Sequence, residues 1–188
     1  MQSEDRINLL AKVARTPRDA TSGAPDGDRS ILLLAAASYG ARPHDEATIP
    51  TGFDPQAALL FEAIVEGAYL VASADGVFDD AERSTFERVV AAACGGAVPI
   101  GHVTDLLADL GDQLEEDGLD VRIARLAEGL QRPEHAREVL RIAALLAQTS
   151  EDVSDVERGV LDRLAAAFQL GEGAVESALA DVKSSLAS

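Results

Sequence analysis

The stretch Ala72-Ser73-Ala74-Asp75-Gly76-Val77-Phe78-Asp79-Asp80-Ala81-Glu82-Arg83 gathers the carboxylates of Asp75, Asp79, Asp80 and Glu82 around one glycine. Carboxylate oxygens are the hard ligands that Ca²⁺ and Mg²⁺ take, and a turn receiving them from both sides supplies several at once. The spacing is not that of the twelve-residue EF-hand loop. The same residues also fit a structural role. Asp79-x-x-Glu82 has capping-box spacing, in which the first side chain accepts an N–H and the glutamate reaches back, each cap stabilising by about 1 kcal/mol. Capping accounts for Asp79 and Glu82 and leaves Asp75, Gly76 and Asp80 unexplained, so both readings stand on the residues alone.

A second copy of the pattern runs from Ala147 to Arg158. At a constant offset Asp80 falls on Asp155, Glu82 on Glu157, Arg83 on Arg158 and Arg88 on Arg163. The pairing extends upstream, with Ile64, Val65, Ala68 and Leu70 on Val139, Leu140, Ala143 and Leu145, and downstream, with Phe86, Val89 and Ala91 on Leu161, Leu164 and Ala166. The unit is a helix, acidic turn and helix of roughly forty residues. Two copies are fewer than a solenoid needs and read as the halves of one helical domain. Ser154-x-x-Glu157 repeats the capping-box spacing.

The elements that must hold these turns follow from periodicity and punctuation. Asp5 to Arg15 reads as a short amphipathic helix through Ile7, Leu10, Val13 and Ala14. It either docks a partner from a tether or folds back on its own domain. Thr16 to Ser30 has the Gly, Pro and small polar composition of a linker. Ile31 to Tyr39 is apolar all round and favours a buried helix over a strand, and Ala41 to Phe53, with Pro43 and Pro50, is an extended loop. Asp54-Pro55 is an N-cap with proline at the first helical position, opening a long helix to about Ser73 with Leu60, Ile64, Gly67, Ala68 and Val71 on one face. Asp79 to Cys94 follows with Phe86, Val89, Val90 and Ala93 inward, stopped by Gly95-Gly96. Ile100 to Leu114 turns Val103, Leu106, Leu107 and Leu110 inward and carries Asp105, Asp109, Asp112, Glu115 and Glu116 outward. That outer face is either simply solvated or a docking surface for a basic partner. Leu119 to Leu130, a helix opening at Pro133, Ser154 to Gln169 and Ala174 to Leu186 complete an all-α bundle. The division expected is an N-terminal helix at 1–15, a linker and short apolar segment at 16–53, and the repeat domain at 54–188.

With 188 residues the chain has enough length for a real core, and its scarcity of aromatics, with no Trp, beside abundant alanine favours packed helices. Sixteen basic against thirty-three acidic residues leave a formal charge of −17. That field repels phosphate backbones and anionic lipid, so nucleic acid is not an expected partner and basic protein surfaces or cations are. A single cysteine, Cys94, allows no intramolecular disulfide and suits a reducing compartment. The acidic N-terminus does not read as a signal peptide, and the run Ile31 to Ala37 is too short to span a bilayer, so no direct membrane insertion and a cytoplasmic location are expected.

Two helical hairpins, each with an acidic turn inside an alanine-rich acidic chain, resemble the tellurite-resistance TerB family, with Ala74-Asp75-Gly76-Val77-Phe78-Asp79-Asp80-Ala81-Glu82 as the matching motif. The likeness covers about Asp54 to Leu186. It implies an all-α, cytoplasmic, non-enzymatic protein that acts as an adaptor in stress-response or phage-defence complexes, sometimes beside a membrane-associated partner. It also implies a divalent cation, Ca²⁺ or Mg²⁺, at Asp75, Asp79 and Glu82. In the second turn Ser150 and Glu151 stand where Asp and Gly are expected, leaving Asp152, Asp155 and Glu157, with Asp152 and Glu157 as the counterpart ligands. The alternative function is a metal-responsive sensor whose hairpins reorient on cation binding. Enzymatic readings are thin: no phosphate-binding Gly-rich loop, nucleophile elbow or His-x-x-x-His helix is present, and His44, His102 and His135 are scattered. Cys94 lies at a helix end, away from the positive dipole terminus that would activate a thiol.

Overall fold

The structure is a computed structural model that describes residues 3–16, 30–42, 53–76, 78–148 and 153–187. Described residues form helices α1 (Ser3–Arg15), α2 (Ile31–Gly40), α3 (Pro55–Ala72), α4 (Asp80–Ala93), α5 (Ile100–Asp117), α6 (Leu119–Gly129), α7 (Pro133–Ala147), α8 (Asp155–Ala167) and α9 (Ala174–Leu186), with no strand among them. Most of the expected linker, most of the loop after α2, His44, Val77 and Asp152 lie outside the described residues.

Local chemistry sets the helix ends. Asp54 accepts hydrogen bonds from the Gln56 and Ala57 N–H groups at 2.9 and 3.4 Å, with Pro55 at the first position of α3. The helix α5 continues three residues past the expected Leu114, because Glu115, Glu116 and Asp117 tolerate helix, and stops at Gly118 with φ of 77°. Inward faces fall where the periodicity put them: Phe86, Val89, Val90 and Ala93 on α4, and Val103, Leu106, Leu107 and Leu110 on α5, are all buried.

The first helices of the two hairpins, α3 and α7, form the most extensive helix pair of the bundle. They cross where α3 has no side chain: a Cβ on Gly67 would stand 2.5 Å from Val139 Cγ1. α3 is also the one described helix long and apolar enough to cross a membrane, and 56% of it is buried inside this core.

α1 folds back onto the domain. It packs chiefly on α4 and also touches α9, α7 and α2, burying Ile7, Leu10, Ala11, Val13 and Ala14 in the common core. The tethered alternative left open by the sequence is not the arrangement adopted. α2 packs on α3, where Tyr39 meets Phe61 at 4.7 Å between centroids and Arg42 lies 4.7 Å above the Tyr39 ring and 2.7 Å from Glu62.

A charged network fastens α5 and α6 to α3. Arg122 donates to Glu66 at 2.8 Å and to Asp117 at 3.1 Å, and Asp117 also accepts from Arg125 at 2.5 Å. Glu66 and Arg122 are both buried. Burial pushes the Glu66 carboxyl above its ordinary pKa, while the hydrogen bond from Arg122 pulls it back down.

Gly67→Ala tests the α3–α7 crossing. Overpacking against Val139 is expected to outweigh the gain in helix propensity and cost about 1–3 kcal/mol. In urea denaturation, Gly67→Ala combined with Val139→Ala should be more stable than the two single losses sum to, by about 1 kcal/mol or more. Strict additivity would place the contact elsewhere.

Candidate functional site

The first acidic turn is built by the end of α3 and the start of α4. The chain leaves α3 through bonds from Ser73 N–H to the Tyr69 carbonyl at 2.9 Å and from Ala74 N–H to Val71 at 3.1 Å. It then reverses at Gly76, whose φ of 77° is open to glycine without strain. Phe78 pins the far side. Its ring stands edge-on between Tyr69, at 5.6 Å, and Phe86, at 5.8 Å, tying the turn to both helices. Asp75, Asp79, Asp80 and Glu82 are all exposed around this frame.

Asp79 and Glu82 carry out the structural role that their spacing allows. Asp79 Oδ1 accepts from the N–H groups of Ala81 and Glu82, both at 2.8 Å, and Glu82 Oε2 accepts from Asp79 N–H at 3.2 Å. This is a complete capping box. The second turn repeats it. Ser154 Oγ accepts from Glu157 N–H at 3.2 Å, while Glu157 Oε2 accepts from the Ser154 N–H and hydroxyl, each at 2.8 Å. α3 and α7 end at the corresponding alanines Ala72 and Ala147, and α4 and α8 begin at the corresponding aspartates Asp80 and Asp155.

Of the carboxylates expected to hold a cation, Asp79, Glu82 and Glu157 therefore serve as helix caps. Asp75 is exposed in its turn, and Asp152 lies outside the described residues. Among the described residues no group of three His, Cys, Asp or Glu side chains stands together as a metal-ligand set. One oxygen of each of Asp79 and Glu82 is taken up in capping α4, Asp79 Oδ1 and Glu82 Oε2.

The remaining candidates are dispersed. Cys94 is buried, and burial pushes its thiol up to about 12. His102 is on α5 and His135 on α7, with burial lowering the His135 pKa. An apolar cavity of about 10 Å³, walled in part by Ala14, Leu32, Ile64 and Val90, has no polar lining.

A family model described as Tellurite resistance protein TerB matches residues 61–180, well over half of the chain. This chain belongs to the TerB family. The match takes in the paired hairpins and both capped turns and leaves α1 and α2 outside it. No curated protein and no solved structure matches the chain.

Sequence reasoning missed the arginines that join the TerB hairpins to their surroundings. Arg88 pairs with Glu4 and its counterpart Arg163 with Asp120, while Arg158 pairs with Glu176. The equivalence of Arg88 and Arg163 in the repeat was the available signal, but it does not name an acidic partner.

Asp79→Ala and Ser154→Ala should each lower unfolding free energy by about 1 kcal/mol, with the same loss in chelator and in Ca²⁺. Chemical denaturation followed by helicity reads this directly. A loss for Asp79→Ala that appears only in Ca²⁺ would show the carboxylate acting as a ligand and not as a cap.

Proposed function

We propose that this TerB chain is a non-catalytic adaptor in a cytoplasmic stress or defence response, and that it presents the outer face of α5 to a basic protein surface. The observation that carries this reading is an unneutralised acidic stripe. Asp105, Asp109, Asp112 and Glu116 are exposed and recur at spacings of four, three and four, which aligns them along one side of the helix. Seven other acids are paired with arginines: Glu4, Glu62, Glu66, Asp117, Asp120, Glu138 and Glu176. Among the described residues no Lys or Arg pairs with the four stripe carboxylates.

Such a stripe weakens its own helix, since like charges three or four residues apart each destabilise by about 0.2–0.5 kcal/mol. Its gain is in encounter, because a single-sign surface steers an oppositely charged partner and rejects like-charged ones. The adaptor reading is supported further by what surrounds the titratable groups. His102 and His135 are on different helices, the Cys94 thiol is raised out of the nucleophilic range, and the cavity is small and aliphatic. A divalent cation at Asp75, Asp79 and Glu82 remains an optional ligand of this proposal. It would have to share Asp79 and Glu82 with the N–H groups they cap, and docking through α5 does not depend on it.

Replacing Asp105, Asp109 and Asp112 by Asn and Glu116 by Gln separates the two readings of the face. The variant should melt at the same temperature as the wild type or slightly higher. It should lose a basic protein that the wild type retains in cross-linking and pull-down at low salt and releases at high salt. Retention of the same partner by the neutralised variant would reduce α5 to a solvated face.

A further inference from the structure

α4 of the first hairpin and α7 of the second together hold α1 in a manner that reads as recognition of a separate helix. At its C-terminal end, Arg141 of α7 donates to the Val13 and Ala14 carbonyls at 3.2 and 2.8 Å. Glu138 holds that guanidinium in place through two bonds, at 2.8 and 3.0 Å. At the other end Arg88 of α4 takes Glu4 in the first turn of α1. The two contacts read helix polarity, since the receiving surface places one cation at the carbonyl end and another at an acidic first turn. Between them Ile7, Leu10 and Ala14 fill an apolar floor on α4 and α7.

The repeat supplies an independent argument. Arg163 is the counterpart of Arg88 and takes Asp120, which lies in the first turn of α6. Each hairpin thus offers the same arginine to a helix with an acidic first turn. In the second hairpin that helix, α6, directly precedes α7 in the chain. In the first, it comes from α1, beyond α2 and outside the family-matched residues. A helix of thirteen residues is marginal in isolation, so α1 owes its helicity to the surface that receives it.

We propose that the groove of α4, α7 and α9 filled by α1 is a helix-binding site occupied in cis. Its ligand in trans is an amphipathic helix of about three turns from a partner protein, with a carboxylate in its first turn and apolar residues at i, i+3 and i+7. This site uses none of the α5 carboxylates and stands apart from the adaptor face.

The test titrates a fluorescent peptide of residues 3–16 into the full chain and follows anisotropy. Two variants weaken the cis helix: Leu10→Glu, which puts a charge at a buried position, and Glu4→Arg, which opposes Arg88 and leaves the core untouched. Both should keep a cooperative melt and bind the peptide at least tenfold more tightly than the wild type. Adding Arg141→Ala to either should remove at least tenfold of that affinity. Equal peptide affinity in wild type and both variants, or loss of the cooperative melt in both, would make α1 a fixed part of the core and overturn the proposal. Dimerisation of the wild type through exchange of α1 would assign the groove to a second copy and overturn the partner helix as its occupant.

Discussion

The bundle depends on the close crossing of α3 with α7, which position 67 permits by carrying no side chain. A Cβ there would meet Val139 at 2.5 Å. A glycine inside a helix costs about 1 kcal/mol relative to alanine, and the return is the approach of the two hairpins' first helices along an uninterrupted apolar seam. Ile64, Val65, Ala68 and Val71 from one side, with Val139, Leu140, Ala143 and Ala144 from the other, are all buried in one core cluster. Once that seam closes, α8 packs on both of its helices while α4 lies chiefly against α1 and α5, and the two acidic turns are carried at the ends of buried helices.

The turns show how one set of carboxylates serves folding before it is free to serve anything else. A helix begins with N–H groups that lack partners and with a positive dipole end, and an aspartate or serine at the cap with a glutamate three residues on satisfies both demands. Both TerB turns of this chain are built in that way. Asp105, Asp109, Asp112 and Glu116 cap nothing and line one exposed side of α5, and that alignment carries the functional proposal.

Much of this was legible in the sequence because it is local. Period and punctuation gave the inward residues of α4 and α5, the Asp54-Pro55 start of α3, and the equivalence of the two capping boxes. The family resemblance rested on the same stretch. What escaped was non-local. Nothing in Asp5 to Arg15 says that its apolar face would be covered by α4, or that Arg141, far along the chain, would close on its last carbonyls. The burial of Glu66 with Arg122 was equally hidden, since a charged residue on a helix is ordinarily solvated and only the tertiary packing of α6 on α3 shuts it in. Spacing does not distinguish a carboxylate that caps a helix from one that binds an ion; the hydrogen bonds of Asp79 and Glu82 establish the capping role.

The central claim is that the two hairpins are halves of a single cooperative unit joined at the α3–α7 seam. Native-state hydrogen exchange measured residue by residue tests it most directly. The account predicts that the slowest amides lie in the middle of α3 and of α7 together, and that they exchange with one common free energy equal to that of global unfolding. Exchange from one of these helices at a distinctly lower free energy, with the other still protected, would mean that the hairpins fold separately and would contradict the account.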